Sequence, residues 1–214
     1  MSSPDQVLLA PVLAAIAAFQ RADAGPIVIL IDGPSGAGKS TLADRILDAW
    51  PSTAGPTRVR PALIRLDDIY PGWNGLAAAS AHLTEHVLRP FRAGLPGAWR
   101  RYDWGADAPA EWHPVDPALP LLVEGCGTLS AANAGLSDVR IWLTADDEER
   151  KQRALARDGE AFRSHWDQWQ AEWQGFLVRE EPGRWATIEL DGTPGLRGDR
   201  GNRGDRGNRT SVRS

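Results

Sequence analysis

A glycine-rich loop gives the strongest chemical signal in the sequence. Its residues are Gly33, Pro34, Ser35, Gly36, Ala37, Gly38, Lys39, Ser40 and Thr41, and the loop follows an apolar run at 27–31. Glycines allow backbone angles at which several N–H groups point at one anion, at the positive end of the helix that follows. In such a loop the lysine reaches the β- and γ-phosphates of a nucleotide and the serine hydroxyl ligates Mg²⁺. The sequence therefore predicts that these nine residues bind ATP with Mg²⁺.

A carboxylate pair, Asp67 and Asp68, ends the second apolar run, at 62–66. In an open parallel sheet the carboxyl ends of the strands face the ligand crevice. A carboxylate there can accept the proton of a hydroxyl as a phosphoryl group is transferred to it. The alternative is that both carboxylates cap a helix or a turn.

The elements that must position these residues alternate along the chain, which predicts βαβ units and a parallel sheet covered on both faces. The predicted fold is a three-layer α/β/α sandwich in one domain, 1–194, followed by a low-complexity, disordered tail, 195–214. Predicted strands are 27–31, 62–66, 121–124, 139–143 and 185–190; predicted helices are 5–21, 41–50, 77–91, 146–157 and 160–178; and 94–120 is predicted to be irregular.

Four motifs together resemble the uridine kinase and phosphoribulokinase branch of P-loop kinases. They are the glycine-rich loop, the segments Leu66-Asp67-Asp68-Ile69-Tyr70 and Tyr102-Asp103-Trp104, and Val123-Glu124-Gly125. The charged segment 150–158 adds to the resemblance, which spans about residues 25–190. It implies a P-loop NTPase fold with a lid helix and an ATP- and Mg²⁺-dependent kinase that phosphorylates a small-molecule hydroxyl, with a uridine-like nucleoside favoured.

The resemblance also implies roles for single residues. Asp67 matches the catalytic base, Tyr70 a residue near the acceptor, and Glu124 an acidic residue that holds Mg²⁺ through water. The acceptor pocket is matched by Tyr102 and Asp103, and the basic lid residues by Arg153 and Arg157. Glu124 is alternatively a turn carboxylate. The two arginines are alternatively part of an ordinary charged helix with an acidic start.

Seven of the ten tryptophans fall into two groups with different predicted roles. Trp73, Trp99, Trp104 and Trp112 surround the region expected to cover the acceptor, where they either stack on a planar base or pack a small subdomain. Trp166, Trp169 and Trp173 recur at spacings of three and four, which predicts one buried face of a helix.

Composition excludes some functions and leaves others open. The tail from Gly195 carries six Arg and two Asp, a net +4, so the remainder of this −4 chain carries −8. An acidic body argues against a nucleic-acid partner. The most apolar stretch, 7–19, is too short to cross a bilayer, and we expect a cytoplasmic protein. A non-catalytic ATP-binding regulator, or a kinase for a sugar, a vitamin precursor or an antibiotic hydroxyl, remains an alternative, and the oligomeric state is not readable.

Overall fold

A computed structural model describes residues 4–22, 25–50 and 60–193 of the chain. The predicted tail, 195–214, lies outside the described residues. The elements are α1 Pro4–Arg21, β1 Val28–Asp32, α2 Lys39–Asp48, β2 Ala62–Arg65, α3 Leu76–His82, α4 Arg89–Arg92, β3 Gly97–Asp103, β4 Ala108–Val115, β5 Leu121–Glu124, α5 Ala131–Ala134, β6 Val139–Thr144, α6 Asp147–Glu180 and β7 Ile188–Asp191.

Five of the strands form one parallel sheet in the order β2-β5-β1-β6-β7. Every residue of β1 and β5 is buried, as expected for apolar strands that helices cover on both faces. The predicted five-stranded parallel sheet is confirmed. Its last strand begins later than predicted because Pro182–Trp185 forms a 3₁₀ turn before it.

Alternate residues of the central strands feed two separate hydrophobic cores. Ile29 and Ile31 pack with Val12 of α1 and Leu42 of α2 on one face. On the opposite face, Leu30 belongs to a core that includes side chains of α3 and α6. These two cores confirm the three layers predicted from the sequence. Within the described residues, no helix is both long and apolar enough to cross a membrane.

The region predicted to be irregular, 94–120, is instead mostly an antiparallel hairpin of β3 and β4, so that prediction is wrong. The strands pair from Gly97 opposite Val115 to Asp103 opposite Ala108, with a bulge between Arg100 and Tyr102. Prolines at 109 and 114 obscured the strand in the sequence, but proline is tolerated where a strand lies at a sheet edge.

Helix α6 folds back on itself at Gly159, whose φ of 68° and ψ of −148° are not helical. The guanidinium of Arg150 donates to the Gln170 side chain at 3.1 Å, and 20 residues of straight helix would separate the two by about 30 Å. We call residues 147–158 the N-terminal arm and residues 160–180 the C-terminal arm. The two arms confirm the two helices that the sequence predicts here.

The helix predicted at 77–91 is also confirmed, but it is not uniform. It comprises α3, a π-helical segment Leu83–Leu88 and α4. It packs beside the hairpin, on the face of the sheet opposite α1 and α2.

Candidate active site

Backbone conformation makes glycine necessary at several loop positions. Gly33, Gly36 and Gly38 have φ values of 146°, 80° and 105°, a region that side chains disfavour. A Cβ atom at Gly33 would also run into the carbonyl oxygen of Leu143, and one at Gly36 into that of Arg150. The loop is therefore pressed between β6 and the N-terminal arm of α6.

Lys39 begins α2 and folds back over the loop. Its ammonium group is buried and donates to the carbonyl oxygens of Gly33 at 2.7 Å and Pro34 at 3.0 Å. It also lies 3.3 Å from the sulfur of Cys126. Cys126 is a buried free cysteine that lies just after β5.

Asp32 is a structural contributor that the sequence analysis missed. Its fully buried carboxylate accepts hydrogen bonds from the backbone N–H groups of Gly33 at 2.7 Å, Gly127 at 3.0 Å and Leu129 at 2.7 Å. Burial raises the pKa of Asp32 to about 6, although these hydrogen bonds act to lower it. Asp32 ties the loop to the segment after β5. The available signal was a polar residue closing an apolar run just before the first loop glycine.

Glu124 ends β5, next to the loop, and is buried with the Ser40 side chain hydrogen-bonded to it. Its Oε1 atom has no hydrogen-bond partner and lies 3.4 Å from Nε of Arg65. Burial first, and the charge of Asp67 second, raise the pKa of Glu124 to about 6. A buried carboxylate oxygen left without a hydrogen bond, beside a serine hydroxyl, suits a cation that reaches it through water.

Magnesium usually takes one or two carboxylates, several waters and phosphate oxygens, not a cage of protein ligands. The described residues hold no group of three or more His, Cys, Asp or Glu that could bind a metal by themselves. The Ser40 and Glu124 pair therefore fits a metal that arrives with a nucleotide.

A cavity of about 240 Å³ surrounds the loop, and we call it the phosphate cavity. It brings together Lys39, Ser40, Glu124, Asp67 and both predicted lid arginines. Its lining is Ser35, Gly36, Gly38, Lys39, Ser40, Thr41, Asp44, Asp67, Glu124, Cys126, Arg153, Ala154 and Arg157.

The two arginines are held differently. Arg157 makes a two-pronged ion pair with Asp158, with both N–O distances 2.7 Å, which raises its pKa above the usual range. It also approaches Asp67 to 4.0 Å. Arg153 donates to the carbonyl oxygen of Gly192 at 3.0 Å, while its buried Nη2 atom has no partner. Each guanidinium group therefore keeps only some of its N–H groups for phosphate oxygens.

A second cavity, of about 460 Å³, adjoins the first, and we call it the aromatic cavity. Asp67, Ser35 and Arg157 line both cavities. The complete lining of the aromatic cavity is Ser35, Asp67, Tyr70, Trp73, Trp104, Arg157, Asp158, Ala161, Phe162, Ser164, His165 and Trp169.

Trp73 is the centre of the aromatic wall. Its ring is stacked with His165 at 4.7 Å and Phe162 at 5.5 Å, and lies 4.8 Å from the ring of Trp104. The indole N–H of Trp104 donates to the carbonyl oxygen of Asp67 at 3.0 Å, which fixes the hairpin turn against the base candidate. Sequence reasoning missed Phe162 and His165, which come from α6 and carry no local motif.

The four tryptophans of the acceptor region divide into two pairs. Trp73 and Trp104 line the aromatic cavity, whereas Trp99 stacks on His113 at 4.2 Å and Trp112 lies beside His82 and His86. The predicted burial of the other three, Trp166, Trp169 and Trp173, is confirmed, since each is at most 7% exposed.

Tyr70 and the Tyr102–Asp103 pair are placed differently. Tyr70 lines the aromatic cavity, and its hydroxyl donates to the Cys126 carbonyl oxygen at 2.8 Å. Tyr102 donates to Asp107, and one oxygen of Asp103 accepts from the N–H groups that follow it in the hairpin turn. Neither member of the pair lines either cavity.

Solved structures share this fold. One is described as a possible uridine kinase from Bacillus stearothermophilus, with 20% identity, a TM-score of 0.54 and alignment over 83% of this chain and 98% of that one. Another is described as a candidate fructose transport system kinase from Silicibacter sp. TM1040, with 17% identity, a TM-score of 0.50 and coverage of 86% and 98%. No protein-family model and no curated protein matches the chain. The predicted resemblance to uridine kinase-like P-loop kinases is confirmed for the fold.

Proposed function

We propose that this protein is a kinase that transfers the γ-phosphoryl group of ATP to a hydroxyl group of a small molecule. The observation that carries the proposal is the shared boundary of the two cavities. Asp67 lines both the cavity around the phosphate loop and the cavity lined by aromatic rings. A donor nucleotide and an acceptor can therefore meet at one carboxylate.

In the proposed reaction the acceptor oxygen attacks the γ-phosphorus, and the bond to the oxygen between the β- and γ-phosphorus atoms breaks. Asp67 takes the acceptor proton and ADP leaves with the electron pair of the broken bond. Lys39 lies on the phosphate loop, where its charge opposes the negative charge of the phosphates. Arg157 lines both cavities and offers positive charge at the same point, with Arg153 on the phosphate side.

Ser40 and Glu124 would hold Mg²⁺, which when bound neutralises phosphate charge. The loop residues 33–41 would bind the phosphates through their backbone N–H groups.

The favoured acceptor is a nucleoside, by resemblance and because an aromatic wall gives a planar ring a surface on which to stack. Tyr70 and Trp73 are its expected contacts. The placement of Tyr102 and Asp103 in the hairpin supports an indirect contribution from them, through the turn that carries Trp104 against Asp67.

The test is an ATP-consumption assay against a panel of nucleosides, sugars, vitamin precursors and aminoglycosides, with the variant Asp67→Asn. A general base contributes about 10²- to 10⁴-fold, so we expect kcat to fall by that factor while nucleotide affinity changes little. Asp68→Asn is the matched control, because it removes the neighbouring carboxylate of the same turn, which lines neither cavity.

Two results would contradict the proposal. One is turnover in Asp67→Asn equal to that of the unmodified protein. The other is tight Mg²⁺·ATP binding with no acceptor-stimulated turnover for any member of the panel, which would favour the non-catalytic nucleotide-binding alternative.

A further inference from the structure

Ser35 is the loop residue at which the two cavities meet. It lines both, and its hydroxyl oxygen accepts a hydrogen bond from the indole Nε1 of Trp169 at 2.9 Å. The two residues are 134 positions apart in the chain. A wall of the aromatic cavity is therefore bonded directly to a side chain of the phosphate loop.

Trp169 is well placed to hold that bond. It lies on the C-terminal arm of α6, it is only 4% exposed, and its ring meets that of Tyr70 edge-on at 4.8 Å. A buried indole N–H without a partner is costly, so the ring orientation and the Ser35 hydroxyl position constrain each other.

A second connection runs in parallel through Cys126. The hydroxyl of Tyr70 donates to the Cys126 carbonyl oxygen at 2.8 Å, and the Cys126 sulfur lies 3.3 Å from the ammonium nitrogen of Lys39 and 3.5 Å from the Ser35 hydroxyl. Both buried rings of the acceptor side thus reach the phosphate loop through hydrogen bonds.

We propose that Trp169 is a positioning residue for the phosphate loop, so that a wall of the aromatic cavity sets the affinity for the nucleotide. This inference rests on the proposed function, which assigns one cavity to the nucleotide and the other to the acceptor. The indole N–H of Trp169 restricts the Ser35 side chain. A loop that is already restricted loses less conformational freedom when phosphates bind. Binding free energies are reciprocal, so whatever orders Trp169 also favours the nucleotide.

The experiment is a double-mutant cycle on the dissociation constant of Mg²⁺·AMP-PNP, measured by titration calorimetry with the full chain. Trp169→Phe keeps a buried ring and removes the N–H; Ser35→Ala removes the acceptor. One hydrogen bond predicts a weakening of about threefold to tenfold for each single variant. The double variant is expected to be no weaker than the weaker single variant, because both changes break the same bond.

Two controls separate positioning from general stability. Trp173→Phe removes a similar buried indole four residues along the same helix, where it stacks on Trp142 and touches neither cavity, and it is expected to leave the affinity unchanged. Ser35→Thr keeps a hydroxyl at this position and is expected to bind the nucleotide almost as tightly as the unmodified protein, unlike Ser35→Ala. Thermal unfolding of each variant reports its folded state.

Additive effects of Trp169→Phe and Ser35→Ala would overturn the inference, as would unchanged affinity in both single variants or an equal loss in Trp173→Phe. Because the probe is a nucleotide alone, none of these results depends on finding an acceptor. Failure of the kinase proposal and failure of this inference are therefore distinguishable.

Discussion

The phosphate cavity and the aromatic cavity adjoin each other, yet the chain builds them in different ways. Six of the thirteen residues that line the phosphate cavity come from one short run, 35–41, after a central strand. The aromatic cavity shares Ser35 with the loop and takes its other residues from three distant segments: the turn after β2, the tip of the hairpin and α6 around its fold at Gly159. Local backbone conformation shapes the loop side of the phosphate cavity, whereas the aromatic cavity depends almost wholly on how separate elements pack.

The difference between the two cavities predicts what a substitution in each will change. A change in the loop 33–41 is expected to alter nucleotide binding and chemistry together. A change in the aromatic wall is expected to alter mainly the affinity for the acceptor, except at Trp169, which is bonded to the loop.

Among residues that line only one of the two cavities, the largest expected effect is that of Lys39→Met. It removes the positive charge from the phosphate loop, and loss of one charged contact to a transition state reduces the rate by about 10²- to 10³-fold. We expect kcat/KM for ATP to fall by at least that much, in steady-state kinetics on a protein whose thermal unfolding is unchanged. Turnover within tenfold of the unmodified protein would show that the cavity does not serve phosphates.

Trp73→Leu tests the other cavity. It removes the ring that contacts Phe162, His165 and Trp104 and that meets Trp169 edge-on at 6.4 Å. We expect KM for the acceptor to rise about fivefold, since lost aromatic contacts cost of order 1 kcal/mol, and nucleotide affinity to fall by less than that, because the bond from Trp169 to Ser35 remains. Trp99→Leu, in a tryptophan outside both cavities, is the control, and an equal rise there would break the comparison.

Glu124, which lines the phosphate cavity and not the aromatic cavity, gives nucleotide binding a pH dependence. A carboxylate must be deprotonated to serve a metal, and the pKa of Glu124 is raised to about 6. Mg²⁺-dependent nucleotide affinity should therefore weaken by several-fold as the pH falls below about 6. Calorimetric titrations from pH 5 to 8 measure this, with Glu124→Gln, in which the dependence due to this group disappears, as the comparison.

The same pKa has the opposite consequence for the free protein. The folded state holds the Glu124 proton more tightly than the unfolded chain, whose ordinary value is 4.5. The stability contributed by this group is present below pH 4.5 and is lost as the pH rises through about 6. Asp32, with a pKa raised from 3.8 to about 6, acts in the same direction. Denaturant unfolding without nucleotide at pH 4.5 and 7 checks the sign.

The smallest expected effect is that of Asp103→Ala. This carboxylate accepts hydrogen bonds from Gly105 and Ala106 at 3.0 Å each and stabilises the hairpin turn. We expect the midpoint of thermal unfolding to fall slightly, because exposed hydrogen bonds are weak, and kcat to change less than threefold. A large rise in KM for the acceptor with unchanged stability would instead support the direct acceptor contact that the family resemblance implies.

The sequence predicted the site best where residues close together in the chain determine the geometry. The loop 33–41, and carboxylates at the ends of two strands, could be placed because parallel strands end at one edge of a sheet. It failed at the hairpin, whose prolines weaken the strand signal and whose bulge sets the register. It could not find the bond between Ser35 and Trp169 because only tertiary packing brings residues 134 apart together.

The fold-back at Gly159 also places the two arms of α6 at different parts of the site. The N-terminal arm presents Arg153 and Arg157 to the phosphate cavity, while the C-terminal arm presents Phe162, His165 and Trp169 to the aromatic one. A Cβ atom at Gly159 would meet nothing within 4 Å, but the φ of 68° still favours glycine at this corner. A homologue or a designed variant with a different C-terminal arm is therefore expected to fit a different acceptor, and to keep its nucleotide affinity only where the bond from Trp169 to Ser35 is kept.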